Sequence, residues 1–85
     1  MKIKDGYVLR KVADSFVAIS VGAENEGRVV KTNATGAFLW ELLKSETTQD
    51  ALTKALAEKY QIDEKTAQDA VESFLESLRK EDLLA

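Results

Sequence analysis

The chain predicts an α+β fold, a winged helix-turn-helix in which a three-stranded antiparallel sheet is followed by a three-helix bundle. Three observations lead there. Residues 7–32 hold three runs rich in β-branched and aromatic residues, separated by turn residues. At Asn33 the apolar period changes from two to about 3.6. From there cap-forming residues divide the chain into three amphipathic stretches joined by short links, 45–47 and 61–62, an order that packs helices on one face of a small sheet.

The elements follow in order. Tyr7–Val12 (YVLRKV) and Ser15–Val21 (SFVAISV) make a hairpin, with Ala-Asp-Ser supplying the turn. In the second strand Val17, Ile19 and Val21 alternate with Ala18 and Ser20, which predicts that the valine and isoleucine face is buried. Gly22–Gly27 (GAENEG) reads as a solvated loop. Arg28–Thr32 (RVVKT) is a short third strand, and its charges at Arg28 and Lys31 suit a sheet edge protected from aggregation.

Asn33 is a good N-cap, able to accept the N–H of Thr35 or Gly36, for a helix running to about Lys44. Phe38, Leu39, Leu42 and Leu43 share one arc of it, and Trp40 falls at the margin. Thr47 with Asp50 resembles a capping box for a second helix over about 48–60, with Leu52, Ala55, Leu56 and Tyr60 inward. Asp63 caps the third, where Ile62 can staple to Ala67. There Ala67, Ala70, Val71, Phe74, Leu75 and Leu78 form the most regular apolar stripe in the chain. That helix ends near Lys80, with Leu83 and Leu84 folding back on the bundle.

Eighty-five residues without proline, repeats or a linker read as one domain, 1–85. A chain this short buries only about 60–65% of the surface its unfolded form exposes, so the core must be compact. Apolar residues are 45% and charged residues 32%, which excludes a disordered or membrane-embedded chain. The start MKIKDGYVLRK lacks a signal-peptide pattern, and no apolar run nears the ~18 residues of a bilayer span. The expectation is a cytoplasmic protein without a membrane partner. The absence of Cys and His removes disulfides, thiol nucleophiles and imidazole acid/base chemistry. A non-enzyme without metal or cofactor is expected.

The net charge of -3 is unevenly spread. Residues 1–32 hold six basic and four acidic groups, whereas residues 63–85 hold three and seven. An acidic third helix has the wrong sign for a surface that reads nucleic acid through its phosphates.

Four features are candidates for a site. Trp40 and Phe38 could stack on a ligand, but their place on an amphipathic helix assigns them to the core. Asp69, Glu72 and Glu76 lie at helical spacing without a partner loop and read as a solvated face. Gly22, Gly27 and Gly36 are too scattered for a phosphate loop, and Gly36 reads as close packing in the first helical turn. Thr66, Ala70, Ser73 and Ser77 line one flank of the third helix, all small. Beside an edge strand, such a flank suits a shallow groove for an extended peptide, although tight helix packing gives the same pattern.

MKIKDGYVLRKVADSFVAISVG, NATGAFLWELL and TAQDAVESFLESLRKEDLL together resemble the PqqD-like family, the small proteins named after coenzyme PQQ synthesis protein D. The resemblance spans nearly the whole chain. It implies a winged helix-turn-helix that binds the leader segment of a ribosomally made precursor peptide and presents it to a modifying enzyme, often a radical SAM enzyme. The leader would lie as an added strand on the third strand and against the third helix. Carried over, that implies a peptide site of Arg28, Val29, Val30, Lys31 and Thr32 with Thr66, Ala67, Ala70, Ser73, Phe74 and Ser77. GAENEG carries no pattern of the family, and PQQ synthesis itself is not predicted. Two other functions remain open: a DNA-binding winged-helix regulator, and a scaffold subunit that does not touch the leader.

Overall fold

The computed structural model describes residues 1–21 and 28–85, so the expected solvated loop Gly22–Gly27 lies outside the described residues. Strands β1 (Tyr7–Val12), β2 (Ser15–Ser20) and β3 (Val29–Thr32) form an antiparallel sheet in the order β1-β2-β3. Helices α1 (Ala34–Leu42), α2 (Gln49–Tyr60) and α3 (Glu64–Lys80) follow. This is the expected α+β order. No helix among the described residues is long and apolar enough to cross a membrane.

The sheet packs on the helices through the face opposite to the one expected. The register aligns Leu9, Ala18 and Val30 in one row and Val8, Ile19 and Val29 in the next. Ala18 and Ser20 are buried, while Val17 and Ile19 are half-buried and Val21 is exposed. The reason is steric. Small side chains at the centre of β2 let α1, which touches both β2 and β3, lie close to the sheet, while Leu9 and Val30 supply bulk on either side. β2 is apolar at both phases, so period two alone could not select the inner face.

The buried arc of α1 is also rotated from the expected one. Ala37, Leu39 and Trp40 are buried, as is Leu43 just beyond the helix, while Phe38 and Leu42 are half-buried at the margin. Trp40 therefore sits in the core, 1% exposed, meeting Tyr7 edge-on at 5.9 Å between ring centroids. Leu52 and Leu56 of α2, Val71 and Leu75 of α3, and Leu83 beyond it complete the core.

Two of the three helix starts match the expected caps. Gly36 N–H donates to Asn33 Oδ1 at 2.8 Å, and Thr66 N–H donates to Asp63 Oδ1 at 2.9 Å. At α2 the cap is Thr48, not Thr47: Ala51 N–H donates to Thr48 Oγ1 at 3.2 Å. The backbone of Thr47 is engaged elsewhere, its N–H donating to the Met1 carbonyl at 3.0 Å. Residues 1–4 belong to the tertiary structure. Ile3 N–H bonds the Leu43 carbonyl, Lys4 N–H bonds that of Leu83, and Ile3 bridges Leu84, so the two chain ends are stitched together beside α1. Ile3 is only 4% exposed.

The Asp63 cap is expected to make α3 acid-sensitive. The hydrogen bond from Thr66 holds the Asp63 carboxyl below its ordinary value of 3.8. A depressed carboxylate contributes stability that is present above its unfolded-state value and is lost as pH falls through the folded value. Thermal midpoints followed from about pH 6 down to about pH 2.5 are expected to fall more steeply for the wild type than for Asp63→Asn, which can cap but does not titrate. Parallel curves would show that this cap does not couple α3 to pH.

Candidate peptide-binding groove

β3 is an edge strand, and its register decides which backbone groups it offers. Ser20 N–H donates to the Arg28 carbonyl at 2.9 Å. Antiparallel pairs alternate between bonded and non-bonded, so Arg28, Val30 and Thr32 turn their N–H and C=O groups toward β2. Val29 and Lys31 turn theirs to the free side. No strand pairs with that side among the described residues.

Below this edge lies a groove of about 520 Å³. One wall is β3, through Val30, Thr32 and the backbone of Lys31; the other is α3, through Ala70, Ser73, Phe74 and Ser77. Its floor is apolar, made by Leu39, Trp40, Leu78 and Leu83. The N-terminus of α1 closes one end with Asn33, Thr35 and Gly36. Gly36 is required there by packing, because a Cβ at this position would run into Thr32 Oγ1 and come within 3.1 Å of the Phe74 ring. The close packing expected of Gly36 thus brings α1 against both walls.

Glu81 stands at the end of α3 and lines the groove. Arg28 reaches across to it, donating from Nη2 to the Glu81 carbonyl at 2.5 Å and to its carboxylate at 2.7 Å. That bond raises the Arg28 guanidinium above its ordinary value. The pair ties β3 to the C-cap of α3 at the groove's rim.

The structure therefore brings together seven of the eleven residues expected at a peptide site: Val30, Lys31, Thr32, Ala70, Ser73, Phe74 and Ser77. Val29 contributes backbone, since its side chain is 57% exposed on the outer face of the sheet. Arg28 is at the rim, in its pair with Glu81. Thr66 is exposed in the first turn of α3, away from the groove lining, and Ala67 is fully buried. Ala67 lies on the apolar stripe itself, so its methyl group faces the core and has no surface to offer a peptide. Sequence reading did not assign to the site the floor residues Leu39, Trp40, Leu78 and Leu83, nor Glu81, nor the start of α1 at Asn33, Thr35 and Gly36, because their place in the groove depends on how α1 and the C-terminal turn pack. Asp69, Glu72 and Glu76 are exposed, with Asp69 paired to Lys65 at 2.8 Å.

Comparison with known proteins converges on the same architecture. No curated protein matches the chain. A solved structure described as "TbiB1 in Complex with the TbiA(beta) Leader Peptide" is similar to it with a TM-score of 0.75 and 26% identity, over 99% of this chain and 94% of that one. The sequence model of the family described as coenzyme PQQ synthesis protein D (PqqD) matches residues 17–84. That span holds β3, α1 and α3, the elements that build the groove, and the chain belongs to the PqqD family.

Proposed function

We propose that this protein recognises the leader segment of a ribosomally made precursor peptide and presents it to the enzyme that modifies the peptide. The observation that carries the reading is the free edge of β3 standing over an apolar-floored groove. A peptide added as a fourth strand would bond the outward backbone groups of Val29 and Lys31, while alternate side chains drop between Val30 and Thr32 on one wall and Ala70, Ser73, Phe74 and Ser77 on the other. The similar structure that holds a leader peptide supports it. The protein contributes binding and orientation, acts as one domain over residues 1–85 in the cytoplasm, and performs no chemical step itself; a radical SAM enzyme is one class of partner that fits. The DNA-binding alternative is disfavoured by the exposed Asp69, Glu72 and Glu76 on α3, which would repel phosphate.

Ala70→Lys tests the groove. Ala70 is half-buried on its wall, and a lysine there fills the groove with its stem while the ammonium reaches water. The variant is expected to keep a thermal midpoint near that of the wild type and to bind a fluorescent leader of its cognate precursor at least about tenfold more weakly by anisotropy. A folded variant that binds as tightly as wild type would move the site elsewhere.

A further inference from the structure

The groove accounts for one face of the sheet edge and leaves the outer face of the sheet without a role. That face is unusually apolar. Val8, Val12, Val21 and Val29 are 36%, 55%, 63% and 57% exposed, and Val8, Ile19 and Val29 form an unbroken row across all three strands. Antiparallel sheets normally turn polar residues to solvent, and a β-branched row left open in this way marks an interaction surface. The next row is Arg10, Val17, Lys31. Neither cation makes an ion pair among the described residues, and the strands present no carboxylate on this face.

We propose that the outer face of the sheet is the docking surface for the modifying enzyme, which would meet it with an apolar patch rimmed by carboxylates. This rests on the leader-binding reading above. Two features select the occupant. Charge argues against a second copy of this chain, because stacking two such faces would bring Arg10 and Lys31 of both copies together with no carboxylate on the described strands to offset them. Position argues for the enzyme, because the face runs without a break to β3, the edge on which the leader is added. The outward side chains of an added strand would extend the same surface, so a protein seated there touches carrier and leader at once. Enzyme and leader then strengthen each other's binding by the same factor.

The test uses two variants away from the groove and from β3. One combines Val8→Thr, Val12→Thr and Val21→Thr, which keeps β-branched side chains at exposed positions; the other is Arg10→Glu. The probes are the fluorescent leader and the purified cognate peptide-modifying enzyme. Both variants are expected to bind leader within about twofold of wild type and, when leader-loaded, to bind the enzyme at least about tenfold more weakly. Enzyme binding within about twofold of wild type in both variants would overturn the proposal, as would a wild-type complex that does not bind the enzyme. A wild-type dimer in sedimentation that the triple variant dissolves would assign the face to a second copy and overturn it too. Failure of the wild type to bind leader is a separate result, which removes the reading on which the proposal stands.

Discussion

Trp40→Ala is expected to destabilise the fold by about 3–5 kcal/mol, the usual cost of removing a buried aromatic side chain. Trp40 is 1% exposed, meets Tyr7 edge-on and lies in the cluster that joins α1 to Leu52, Leu75 and Leu83. Its removal strips the sheet-facing side of α1 and leaves a cavity that well-ordered neighbours fill only in part. A domain of 85 residues has a total stability of only roughly 4–13 kcal/mol, so the variant stands near the edge of folding. Urea melts followed by far-UV circular dichroism measure the loss without needing tryptophan fluorescence. Trp40→Phe, which keeps an aromatic ring, should recover part of it. Because Trp40 also floors the groove, the competing outcome is informative. A W40A protein with an unchanged midpoint and no leader binding would make the indole a ligand contact.

Proline in β3 should separate folding from binding. Val30 turns its N–H toward β2, so Val30→Pro removes an interior ladder bond and sets the ring against the neighbouring strand. That variant is expected to lose the sheet. Lys31 turns its N–H to the free side, where proline is tolerated. Lys31→Pro is expected to fold and to bind leader about tenfold more weakly, the worth of one backbone bond together with the partner carbonyl it leaves unsatisfied. Lys31→Ala controls for the lost charge and should bind within about twofold of wild type. If K31P folds and binds as K31A does, the leader does not add to this edge. If V30P folds as well as K31P, the phase derived from the Ser20 and Arg28 bond is wrong.

Local chemistry was legible from the residues. β1 begins and ends where its β-branched run does, Asn33 and Asp63 cap the helices they were expected to cap, and Gly36 marks a close approach. These features depend on neighbours a few residues apart, through periodicity, cap chemistry and the space a Cβ would need. The small flank of α3 was legible for the same reason, since Ala70, Ser73 and Ser77 are placed by helical spacing alone.

What the tertiary structure decided is which surface meets which. β2 is apolar on both faces, and only the approach of α1 selects Ala18 over Val17 and Ile19 for the interior. Ala67 and Ala70 are the same residue type three positions apart, yet one is in the core and the other on the groove wall, because the bundle fixes the rotation of α3. The shift of the α2 cap from Thr47 to Thr48 and the burial of Ile3 both accompany bonds between the first residues of the chain and the link between α1 and α2, Thr47 N–H to the Met1 carbonyl and Ile3 N–H to that of Leu43. Pairings such as Arg28 with Glu81 span 53 residues and leave no periodic trace. Hydrophobic pattern specifies that a face is apolar; whether that face becomes core, groove or docking surface is set by the long-range packing that covers it or leaves it open.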